Sequence, residues 1–283
     1  AFRNHMNMTS GARVRLDRDG IVTVETDMTD IGTGSYTIIA QTAAEMMGVS
    51  IDAVVVKLGS SAYPVSAGSG GQFGAANATS GVYAACVKLR EAVAQRLGYN
   101  SADAVFDAGR VMSGNRSADL RQAASAGELV AEDKIEYGDL DKTWQLSTFG
   151  AHFVEVGVDM YTGATRLRRM LAVCAAGRII NPQTARSQVI GAMAVDKRFG
   201  LFVNHDLASY EVPVHADIPH QEVIFLDEVD DKANPMKAKG VGELGLCGVG
   251  AAVANAMYNA TGVRLRDYPL TLDKQFDRLP AVA

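Results

Sequence analysis

The chain reads as an α+β protein on three observations. Apolar and polar residues alternate in several separated stretches, apolar residues recur with helical spacing in others, and small-residue loops rich in glycine join the two kinds of segment. Because strands and helices are interspersed, sheets with helices packed on them are expected, in two sub-layers of about 1–145 and 146–283.

Residues 21–29 (Ile-Val-Thr-Val-Glu-Thr-Asp-Met-Thr) alternate as a half-buried strand does, and Asp17-Arg18-Asp19-Gly20 supplies a turn before them. A hairpin is therefore expected near the start. Asp30-Ile31-Gly32-Thr33-Gly34-Ser35 follows as a glycine loop. Ile38, Ile39, Ala43, Met46 and Met47 then mark one face of a helix that Gly48 ends. The next strand, 53–58, carries Val54, Val56 and Leu58 on one face. Residues 66–80 are rich in Gly, Ala and Ser and predict a long loop. A helix is expected over 82–97, with Val82, Cys86, Leu89 and Val93 inward and Gly98 as its stop.

Residues 101–138 are polar, Ala-rich and weakly periodic, a pattern read as short helices and loop. The runs 151–159 and 166–175 around Tyr161-Thr162-Gly163 predict a hairpin. Gly177-Arg178-Ile179-Ile180-Asn181-Pro182 forms a loop, with Pro182 just ahead of a helix over 183–194. Residues 222–228 predict a further strand. The acidic cluster Asp227, Glu228, Asp230 and Asp231 reads as a solvated face, since its spacing does not suit calcium. A last long helix is expected over 249–260.

The 283 residues are 48% apolar and 21% charged, which suits one large globular domain or two ordinary ones. Lys and Arg are scattered and the net charge is -5, so no nucleic-acid footprint is expected. Apolar runs are too short to span a membrane, and Ala1-Phe2-Arg3-Asn4-His5 lacks an export pattern. Cys86, Cys174 and Cys247 form no C-x-x-C pair, which argues against an iron-sulfur or zinc site; Cys86 and Cys174 read as core residues. His215 and His220 flank a Pro-containing loop and read as solvated. No metal ligand set is predicted.

The segment Lys239-Gly240-Val241-Gly242-Glu243-Leu244-Gly245 places one carboxylate within a run of small residues. Glycines let a backbone approach a ligand closely. A carboxylate there is expected to be partly desolvated, a setting suited to accepting and returning a proton. The alternative is a glycine turn with a solvated Glu. Although 240–245 fits G-x-G-x-x-G, the preceding 231–237 contains Pro and charge instead of a strand, so a Rossmann site fails on context. P-loop and G-x-S-x-G motifs are absent. Four small-residue loops remain, at 31–35, 66–75, 177–184 and 239–245. One large ligand with phosphates and hydrogen-bonding rings would unite them; four independent turns is the alternative.

Asp30-Ile31-Gly32-Thr33-Gly34-Ser35-Tyr36-Thr37, Gly68-Ser69-Gly70-Gly71, Gly177 through Pro182 with Gln188, and Lys239 through Glu243 stand in the order found in the xanthine oxidase and aldehyde oxidoreductase family. The chain resembles the C-terminal half of that family's molybdenum-cofactor-binding subunit over nearly its whole length. That resemblance implies the molybdenum hydroxylase fold and a bound molybdopterin cytosine dinucleotide carrying molybdenum. By matching position, Ile31, Gly32 and Thr33, then Gly74 and Ala75, face the cofactor. So do Arg178, Ile179, Ile180, Asn181, Pro182, Gln183 and Thr184, together with Gln188. Lys239, Gly240, Val241 and Gly242 lead up to the metal.

Glu243 matches the family's catalytic glutamate, a general base for oxidation of aldehydes, aromatic ones over a broad range, to carboxylic acids with water as oxygen source. Arg3 belongs near the same centre, where a guanidinium would stabilise negative charge on the substrate oxygen; a surface Arg is the alternative. The resemblance further implies an iron-sulfur subunit with 2Fe-2S clusters, an FAD subunit, the remaining half of the molybdenum subunit and a periplasmic location. Other readings are a purine or N-heterocycle hydroxylase, or an inactive fragment that binds no cofactor. A Gly-rich helical segment usual in the family is missing between Ala194 and Val195. Omitted residues explain that better than a deletion, which would expose core surface.

Overall fold

The computed structural model describes residues 1–193, 218–268 and 270–280. Strand β1 (Phe2–Asn4) comes first, and β2 (Ser10–Leu16) and β3 (Val22–Thr26) then form the expected hairpin. Its turn closes because the Asp17 carboxylate accepts the N–H groups of Asp19 and Ile21, each at 2.9 Å. Helix α1 (Ser35–Met47) ends at Gly48, whose left-handed φ of 62° lets its N–H reach back to the Ala44 and Glu45 carbonyls. The chain crosses over to β4 (Val54–Leu58), which pairs parallel with β3.

Helix α2 (Gly74–Arg96) begins eight residues before the expected start at 82, so the long loop ends at Phe73. The spacing of large apolar residues hid this turn because its buried face is made of small ones. Thr79 and Ser80 return hydrogen bonds to the Ala75 and Ala76 carbonyls, and Gly81 lies against the Ser10 carbonyl.

The region 101–138 also departs from expectation. It holds a small sheet of β5 (Val105–Asp107), β6 (Arg110–Ser113) and β7 (Arg116–Asp119), then α3 (Leu120–Ala123) and β8 (Leu129–Ile135). Strands of three or four residues are too short to show an alternation. β8 joins the first sheet, whose order is β4-β3-β2-β8. Val14, Leu16, Val22 and Val24 from this sheet pack with Ile39, Met47, Val82, Leu89 and Val93 from α1 and α2, all fully buried. Each such side chain contributes about 1.5–3 kcal/mol by leaving water.

After α4 (Leu140–Thr143), β9 (Ser147–Val158) and β10 (Thr165–Ala175) make the expected second hairpin. Helix α5 (Pro182–Met193) opens with Pro182 as its first residue and leads toward β11 (His220–Phe225), which pairs parallel with β10. The second sheet has the order β1-β9-β10-β11, so residues 2–4 cross from the first sub-layer to the second. Helices α6 (Leu244–Cys247), α7 (Val249–Thr261) and α8 (Asp273–Phe276) complete the described chain. Met170, Ala172 and Cys174 of β10 meet Val189, Val241 and Leu244 in a second core, beside the glycine segment that bears Glu243. His215 and the 194–195 junction lie outside the described residues.

Candidate functional site

A cleft of about 270 Å³ opens where the first turns of α1, α2 and α5 meet the segment 238–243. Ahead of α1, the Asp30 carboxylate accepts the N–H groups of Gly32 at 2.8 Å, Thr33 at 2.9 Å, Gly34 at 3.3 Å and Tyr36 at 3.3 Å. Burial opposes charge on Asp30, but these N–H groups outweigh it and hold its carboxyl below the ordinary value. α2 starts on the wall of the cleft with Gly74, Ala75 and Ala76. First-turn N–H groups lack acceptors within a helix and favour an anion.

α5 is capped by Asn181, whose Oδ1 accepts from the N–H groups of Gln183 and Thr184 at 3.0 Å each. Its Nδ2 donates to Gln41 of α1 at 3.2 Å, which ties the two helix starts together. Gly34 has a φ of 85° and lies so close to Thr184 that a Cβ would press on the Thr methyl. Arg178, expected to face a ligand with its charge, gives that charge to Glu45 of α1 at 2.6 Å.

Glu243 stands at the end of the wall formed by Gly240, Val241 and Gly242. Its carboxylate is ion-paired with the guanidinium of Arg3 on β1 and its side chain is 41% exposed, so it is less withdrawn from water than its small neighbours predict. Its N–H donates to Oε1 of Gln72 at 3.3 Å. A Cβ at Gly240 would overlap the Gln72 carbonyl oxygen, so only glycine allows the two backbones to touch there.

The acidic turn is only in part the solvated face expected: Asp227 and Asp231 are exposed, but Glu228 and Asp230 turn toward Lys239. Lys239 is 6% exposed, and its ammonium donates to Asp230 at 2.7 Å with Glu228 at 3.9 Å. Glu228 also accepts the Gly177 N–H at 2.6 Å. Burial opposes ionisation of Asp230, but Lys239 and nearby N–H groups hold its carboxyl below the ordinary value. Lys239 therefore borders the cleft while its charge is spent on Asp230. Charge counting alone does not find this, because Asp230 and Lys239 look alike in a solvated turn and in a buried pair.

The four small-residue loops do converge. Ile31 and Thr33, Gly74 and Ala75, Arg178, Ile179, Ile180, Asn181 and Thr184, Gln188, and Lys239 through Glu243 all border the one cleft. Gly32, Pro182 and Gln183 lie beside it, and Arg3 reaches it through Glu243. Sequence reasoning did not single out Gln72 or Asp30. Among the described residues no group of three His, Cys, Asp or Glu could hold a metal ion. A site of this kind, with a helix start, glycine walls and one acid, suits an anionic ligand.

Residues 1–219 match the family described as molybdopterin cofactor-binding domain. The chain is 64% identical over 293 residues to the aldehyde oxidoreductase molybdenum-binding subunit PaoC of Escherichia coli (strain K12), covering 99% of this chain and 40% of that protein. The probable hypoxanthine oxidase XdhD of the same strain is 29% identical over 285 residues, covering 92% of this chain and 29% of that one. Quinoline 2-oxidoreductase from Pseudomonas putida 86 superposes with a TM-score of 0.83 at 25% identity, over 96% of this chain and 38% of that structure's chain. The chain thus spans less than half the length of each of these relatives. The α+β architecture is that of molybdenum hydroxylases, and since the family match takes in more than half of its residues, the chain belongs to the molybdopterin cofactor-binding domain family.

Proposed function

We propose that this chain is the cofactor-gripping part of a molybdenum hydroxylase that oxidises aldehydes, aromatic ones over a broad range, to carboxylic acids with water as the oxygen source. The observation that carries this reading is the position of Glu243, a single carboxylate on the wall of the cleft, paired with Arg3 and anchored through its N–H. The 64% identity to a protein named as an aldehyde oxidoreductase subunit supports the aldehyde.

Bound molybdopterin cytosine dinucleotide supplies the metal that accepts two electrons from the substrate. The first turn of α2 suits its phosphates, whereas the Gln183 and Thr184 N–H groups of α5 are already taken by Asn181. Gly240, Val241 and Gly242 form a wall that a ring system can approach without side-chain hindrance. Glu243 takes the proton from the attacking oxygen, and Arg3 holds the carboxylate and faces negative charge on the substrate oxygen. Cys86 and Cys174 are buried with thiols pushed up by burial, to about 12 and about 11, and are inert core residues. In this reading electrons leave through 2Fe-2S clusters and FAD held by partner subunits. The working assembly is a periplasmic heterotrimer that includes the rest of the molybdenum subunit.

Glu243→Gln in the assembled enzyme tests the base. Turnover should be abolished while molybdenum content stays near that of the wild type. Retained turnover refutes the assignment. A second reading, oxidation of an N-heterocycle, draws on the fold shared with quinoline 2-oxidoreductase. Parallel assays with an aromatic aldehyde, quinoline and a purine separate the two.

A further inference from the structure

Gln72 is buried, follows Gly70 and Gly71 in the loop before α2, and has a φ of 60°, a left-handed conformation uncommon outside glycine. Both ends of its side-chain amide are engaged. Oε1 accepts the N–H groups of Glu243 at 3.3 Å and Leu244 at 3.1 Å. Nε2 donates to Thr148 Oγ1 on β9 at 3.0 Å, with the Asn4 and Arg3 carbonyls of β1 at 3.3 and 3.4 Å. Thr148 Oγ1 in turn donates to the Arg3 carbonyl at 3.2 Å. The backbone of Gln72 touches Gly240 on the other side.

One amide therefore links the turn that bears the acid to the strand that bears its guanidinium partner. We propose that Gln72 is a positioning residue that fixes Glu243 and Arg3 relative to each other; this rests on the reading of Glu243 as the base. Backbone strain of this kind persists only where the surroundings enforce it, and here the bonds from three segments enforce it. Because Gln72 acts through the placement of Glu243, its loss falls on the rate of the reaction. A base displaced by about 1 Å slows a reaction about 100-fold.

Gln72→Gly in the assembled enzyme removes the amide and suits the positive φ, so the backbone itself is not penalised. The expected result is a drop of about 10- to 100-fold in kcat per bound molybdenum, with KM little changed. Hydrogen exchange at the Glu243 and Leu244 amides should accelerate. Gln72→Glu keeps an acceptor for those two N–H groups and should recover part of the rate. The proposal is overturned if kcat per molybdenum is unchanged in Gln72→Gly, if all lost activity follows lost molybdenum, or if amide exchange is unaltered. Turnover retained by Glu243→Gln would remove the base and this proposal together. An inactive Glu243→Gln beside a fully active Gln72→Gly would remove this proposal alone.

Discussion

Asp230 accepts a hydrogen bond from the Lys239 ammonium at 2.7 Å, and that contact fastens the acidic turn to the cleft-lining segment. Lys239 is nearly sealed from water, so this contact takes the place of solvent around its ammonium.

Asp230→Asn keeps the shape and removes the charge, leaving Glu228 at 3.9 Å as the remaining anion beside Lys239. Breaking a buried pair from one side costs about 3 kcal/mol or more, and the partial exposure of Asp230 places this case at the lower end. Thermal unfolding should show a drop of several degrees, with lower molybdenum content. An unchanged midpoint would mean that the pair is not under strain from burial.

Asp30 gives a pH dependence. Its folded-state carboxyl lies below the ordinary 3.8 because four backbone N–H groups outweigh the effect of burial. Charged Asp30 therefore stabilises the folded chain above that value, and the contribution is lost as pH falls through the lowered one. Asp30→Asn should be less stable than wild type at pH 7, and the gap should close as the pH is taken below about 4. Denaturation curves at both pH values measure this; a gap that widens toward acid contradicts it.

Gly240 and Gly242 are two residues apart and differ in what surrounds them. A methyl group at Gly240 runs into the Gln72 backbone, whereas one at Gly242 meets its nearest neighbour, Gln188 Oε1, at an ordinary 3.5 Å. Gly240→Ala should destabilise by about 1–3 kcal/mol and lower cofactor content. Gly242→Ala should leave the unfolding midpoint close to that of wild type. Equal effects at the two positions would be inconsistent with the backbone contact.

Helix ends were legible where single residues set them. Gly48 and Gly98 stop α1 and α2, and Pro182 starts α5, because each fixes or frees the backbone locally. The start of α2 was not legible: Ala75, Ala76, Thr79 and Ser80 are buried against neighbours that periodicity does not see. Glu243 could be picked out by its setting among glycines. Gln72 could not, since its partners Thr148 and Leu244 are distant in sequence and its positive φ leaves no mark on residue type. The Asp230–Lys239 pair was misread for a related reason, as polarity is local and burial is not.

Glu243 and Arg3 are separated by 240 positions along the chain. Loop closure over such a span comes only after nearer contacts have formed, so this pair belongs to the last stages of chain assembly. Both segments have to be in place before the acid meets its cation. Until then the carboxylate on the cleft wall stands without its guanidinium partner.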